Sequence, residues 1–164
     1  MEPDLELTLA TPAETRRFTG PATVWLWYRC TGVGPGPALS ALMALRAWAV
    51  RRARWGEAPA VVRDDLLSAG SSLALPAVAV SVLLDVIGAV TDELDMLLEH
   101  PLVWQMENVR VVHEHGGTAL EMPDANRLDW TLSNVAMQLV LRGDETRRER
   151  LAGSARPCWP TTPN

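Results

Sequence analysis

Residues 24–55 read VWLWYRCTGVGPGPALSALMALRAWAVRRARW, and the reading of this stretch decides the fold. Trp25, Trp27 and Tyr28 gather large amphipathic side chains in one place. Gly32, Gly34 and Gly36 then supply permissive backbone, and Pro35 and Pro37 fix φ where the chain turns. From about Ala38 to Trp55 the residues are strong helix formers with no internal Gly or Pro, and Gly56 marks the stop. The stretch is a packing unit: an aromatic cluster, a rigid turn and a long helix.

The helical grammar continues outward. A second helix starts near Pro59, with Val62, Leu66, Ala69 and Leu73 on one face. A third, from about Leu73 to Val90, is apolar nearly all round with Asp85 its one charge, so it belongs in a core or in a membrane. Thr91 with Asp92 and Glu93 reads as the cap of a short helix ending near His100. Pro101 opens a fifth, in which Leu102, Met106, Val109 and His113 share one face, Glu107, Arg110 and Glu114 form a charge ladder, and Gly116 and Gly117 end it. Asp124 caps a sixth, carrying Leu128, Leu132, Val135 and Leu139. Only TVWLWY, residues 23–28, has any strand character.

The expectation is an all-α fold: an irregular bundle or HEAT-like stack of about six helices, with disordered ends. Residues 1–23 are expected to be poorly ordered, 24–152 to form the helical domain, and 153–164, with three prolines, to be a disordered tail. Trp25, Trp27, Leu42, Leu45, Leu66, Val80, Val109 and Leu132 are the expected core.

Composition narrows the chemistry. A net charge of −5 disfavours nucleic acid as the main partner, because counterion release needs a basic face gathering several phosphates. All fifteen basic residues are arginine, which removes Schiff-base chemistry and a lysine general base. TGVGPGP lacks the Lys-Ser/Thr of a phosphate loop and is a structural turn. His113 and His115 stand two apart, about 200° around a helix, and cannot share an ion. Cys30 has no partner base, Cys158 lies far from it in a Pro-rich context, and the acidic pairs around Asp64 and Asp92 suit solvated helix faces. No catalytic residue, metal or cofactor is expected. The N-terminal MEPDLELTLATPAETRRF lacks an apolar signal core, so a cytoplasmic chain with reduced thiols is the expectation.

One basic and aromatic concentration remains. Trp48, Arg51, Arg52, Arg54 and Trp55 close the first long helix, with Arg46 a turn or two before them, and Trp48 lies within stacking reach of Arg51 and Arg52. These five are the candidate interaction residues. Rival readings are a solvated helix end that compensates the dipole, and a weak anion or nucleic-acid binder. A further rival is a membrane-associated protein using the apolar helix near 73–90, against which stand Asp85, Pro76 and the Ser and Gly residues at 68–72.

Trp25, Trp27 and Tyr28, the run from Gly34 to Leu45, LLSAGSSLAL at 66–75, HPLVWQMENVRVVHE at 100–114 and LDWTLSNVAMQLVLRGDETRRERL at 128–151 together resemble the helical region of very large bacterial STAND-type ATP-binding proteins. The resemblance implies a non-catalytic helical scaffold separated from its phosphate-loop module. GSARPCWPTTPN replaces the further helix that the resemblance implies, and the expectation is a fragment or degenerate copy. Its implied partners are proteins, by self-association through an uncapped helical face or within a larger helical assembly.

Overall fold

The computed structural model describes residues 3–11, 13–29, 34–116, 131–142, 145–146, 148–149 and 151. The architecture is mainly helical with one β-hairpin, not purely α. Strands β1 (Asp4–Ala10) and β2 (Thr15–Pro21) lead into a 3-10 segment at Ala22–Arg29, then α1 (Gly36–Arg54), α2 (Pro59–Ser68) and α3 (Ala74–Asp85). A 3-10 turn at Ile87–Ala89 precedes α4 (Asp95–Leu98), α5 (Pro101–Gly116) and α6 (Leu132–Arg142).

The hairpin corrects the expectation of irregular chain before residue 24. DLELTLA alternates, so Leu5, Leu7 and Leu9 fall on one face, and the antiparallel register sets Leu7 opposite Phe18. Leu7, Leu9 and Phe18 are buried, which is what orders the pair. The loop closes through Thr11, whose N–H and hydroxyl both donate to the Glu14 carbonyl at 2.9 and 2.6 Å. The hairpin is stitched to the helices at the turn between α2 and α3. Thr19 N–H donates to Ser71 O at 2.8 Å, Leu73 N–H donates to Thr19 O at 3.1 Å, and the Arg16 guanidinium donates to Leu67 O and Ser68 O at the end of α2. The TVWLWY stretch is not a strand; it becomes the 3-10 segment that buries Val24, Trp25, Leu26 and Tyr28.

Helix α1 starts as its prolines dictate, with Pro35 as N-cap and Pro37 in the first turn, and stops at Gly56 with φ +96°. Gly34, at φ +134°, lies so close to the Trp27 indole that a Cβ would sit 2.7 Å from Nε1, so glycine is required there. Helix α3 is the centre of the core. Every residue from Ala74 to Leu84 is buried, with α1, α2 and the 3-10 segment packed around it. Its 12 residues span about 18 Å, short of a bilayer's ~30 Å core. Among the described residues no helix is long and apolar enough to cross a membrane.

Of the expected core, Trp25, Leu66, Val80 and Leu132 are fully buried, whereas Trp27, Leu42, Leu45 and Val109 are half-buried and pack on its margin. Thr91 is not the cap of α4, which begins only at Asp95; its N–H donates instead to Glu93 Oε2 at 2.6 Å. Two members of the expected ladder on α5 lie in the core. Glu107 and Arg110 are 2% and 1% exposed, joined at 2.9 Å, and Glu107 also accepts the Trp25 indole N–H at 2.9 Å. The expected start of the sixth helix at Asp124, together with Leu128, Cys30, Cys158 and the tail from 153, lies outside the described residues.

Candidate interaction site on the first helix

The last two turns of α1 and its C-cap Trp55 carry the five candidate residues, and helix geometry sorts them into two groups. Trp48 and Arg52, four apart, share a stripe. Arg52 stacks its guanidinium 4.4 Å from the Trp48 ring centroid, pairs with Glu57 just past the helix end, and reaches Asp65 of α2 at 2.8 Å. Those bonds, Glu57 first and Asp65 second, raise its pKa further above the ordinary arginine range. This group ties α1 to α2.

Arg51, Arg54 and Trp55 form the second group, around a cleft of about 280 Å³ whose other walls are Arg46, Ala47, Val50 and Asp85. Arg46 enters from the core side. Its Nε donates to Ser81 Oγ at 2.6 Å and its Nη2 to Asp85 Oδ2 at 2.8 Å. Burial lowers the Arg46 pKa, and the charge of the nearby Arg29 adds to that effect while Asp85 opposes it. Arg54 takes the second oxygen of Asp85 at 2.6 Å from the solvent side. Arg51 approaches the Trp55 ring at 6.0 Å, the limit of a cation–π contact, and has no carboxylate partner among the described residues. Trp55 is 80% exposed and Trp48 47%.

Asp85 and Ser81 were not singled out as site residues by the sequence. The signal was present: a lone aspartate in an otherwise apolar buried helix demands a cation, and Arg46 is the arginine deepest inside α1. The other polar groups weighed in the sequence have structural work. Arg63 bonds Asp64 at 2.8 Å and the Glu93 carbonyl at 3.0 Å, and Asp65 is held by Arg52. His113 is exposed on α5, and no cluster of metal-ligating side chains occurs among the described residues.

Comparison with family models, with curated proteins and with solved structures finds no match for this chain.

Proposed function

We propose that this chain is a non-catalytic helical interaction module that docks an acidic segment of a protein partner on the last two turns of α1. The observation that carries this reading is Trp55, 80% exposed beside Arg51 and Arg54 and the most exposed of the described tryptophans. Tryptophan and arginine are the residue types that dominate binding energy at protein interfaces. The arginine-rich C-terminal end of α1 on a chain of net charge −5 favours an acidic partner. The missing lysine and phosphate loop support a role without ATP chemistry, and the resemblance to helical regions of STAND-type proteins supports a scaffold derived from, or belonging to, such an assembly in the cytoplasm.

The test is a displayed random-peptide library panned on the full chain, with each recovered peptide re-measured against Trp55→Ala. Recovered sequences are expected to be rich in Asp and Glu and to bind the variant at least ten-fold more weakly. Recovery of no peptide, or of peptides indifferent to Trp55, refutes the reading.

A further inference from the structure

The cleft beside Trp55 has a charge arrangement that makes the docking reading more specific. Arg46, Arg51 and Arg54 face it against one carboxylate, Asp85. Asp85 is engaged on both oxygens, by Arg46 at 2.8 Å and Arg54 at 2.6 Å, and Arg46 is fixed from inside by Ser81. The donors that still face solvent belong to Arg54, whose side chain is 64% exposed, and to Arg51. Three residues apart on one helix, these two like charges are neighbours and repel, and an anion between them relieves that repulsion. Two guanidinium forks beside an indole suit a planar carboxylate with an apolar stem. A doubly charged phosphate would meet Asp85 in the same cleft with about twice the repulsion of a carboxylate. At about 280 Å³ the cleft sits at the small end of ligand sites and fits one side chain.

We infer that this cleft is a carboxylate receptor, in which Arg51 and Arg54 together hold one Glu or Asp side chain of the docked segment and Trp55 covers its aliphatic stem. The inference rests on the docking reading and names the group that the partner must present.

The experiment follows the Arg51 and Arg54 Nε–H resonances of the labelled full chain during titration with a capped peptide carrying two Glu beside Leu. The Gln counterpart of that peptide, inorganic phosphate, and the Arg51→Ala, Arg54→Ala and Arg17→Ala variants complete the set. The Glu peptide is expected to shift both resonances saturably and the Gln peptide to leave them in place. Arg51→Ala and Arg54→Ala should each weaken binding at least five-fold, while Arg17→Ala, on the distant hairpin, should change it less than two-fold. Phosphate binding ten-fold tighter than the peptide, or resonances unmoved by any probe at 10-fold excess over the protein, overturns the receptor. Library peptides that depend on Trp55 but not on Arg51 or Arg54 would also overturn it and leave the docking reading standing.

Discussion

Replacing Glu107 by leucine should cost as much stability as truncating a large core side chain. Glu107 and Arg110 are 2% and 1% exposed and form an ion pair at 2.9 Å. Removing one partner of a buried pair costs about 3–5 kcal/mol, because the survivor keeps its desolvation penalty. The Trp25 N–H, which donates to Glu107 at 2.9 Å, loses its acceptor as well. A loss of at least about 3 kcal/mol is therefore expected, out of a domain total of about 5–15 kcal/mol. With a urea slope of about 1.5–2 kcal/mol/M the midpoint falls by roughly 1.5–2 M. Glu107→Leu combined with Arg110→Met removes both charges, so it should be more stable than Glu107→Leu alone. Urea unfolding followed by far-UV circular dichroism measures all three chains. A single variant that loses less than ~1 kcal/mol, or a double variant no more stable than the single, refutes the assignment of this pair as an interdependent buried unit.

Leu132→Ala should cost about 2–5 kcal/mol, since Leu132 is 1% exposed in the core, and a loss under ~0.5 kcal/mol in equilibrium denaturation would remove α6 from that core. Gly34→Ala combines a strained φ with a Cβ 2.7 Å from Trp27, so a loss of about 1–3 kcal/mol is expected, visible as a lowered Tm; an unchanged Tm would show that the turn is not fixed by this contact. His100 accepts the Leu102 N–H on Nδ1 at 3.2 Å, and burial lowers its pKa, so the unfolded chain takes up the proton first as pH falls. Its contribution should be present near pH 7 and decline through the unfolded value of ~6.5 down to the lower folded value. The difference in urea midpoint between pH 7 and pH 5 should shrink in His100→Gln, and an identical difference in both chains would exclude this linkage. Calorimetric titration of the chain with ATP and Mg²⁺ should give no binding heat, and saturable micromolar binding would contradict a role without nucleotide.

The helices were legible because their signals are local. Pro35, Pro37 and Gly56 bound α1, Pro59 starts α2 and Pro101 starts α5, as proline and glycine chemistry dictates. The hairpin was not recognised: Leu5, Leu7 and Leu9 alternate with Glu6 and Thr8, but so short a pattern is weak and its order comes from burial against distant residues. TVWLWY shows the converse: β-favouring residues are drawn into a 3-10 segment because Trp25 and Tyr28 must both enter the core. The fate of charges was least legible. Spacing places Glu107 and Arg110 beside each other on a helix in solvent or in a core alike, and only the position of Trp25, 82 residues away, decides which. For the same reason the five residues at the α1 end could be singled out from one stretch of sequence, while Asp85, which pairs with Arg46 and Arg54, comes from another helix.

The stitching of the hairpin onto the α2–α3 turn also sets an order of events at the ribosome. The strands are made first, yet a lone two-stranded hairpin is marginal in water. The carbonyls that receive Arg16 lie 51 and 52 residues further along. At synthesis rates of about 5–20 residues per second those acceptors are made roughly 3–10 s later. Through that interval the nascent chain carries an apolar strand pair whose docking at the α2–α3 turn and packing against α4 come only later. The segment that finishes last in space is the one that begins first in time.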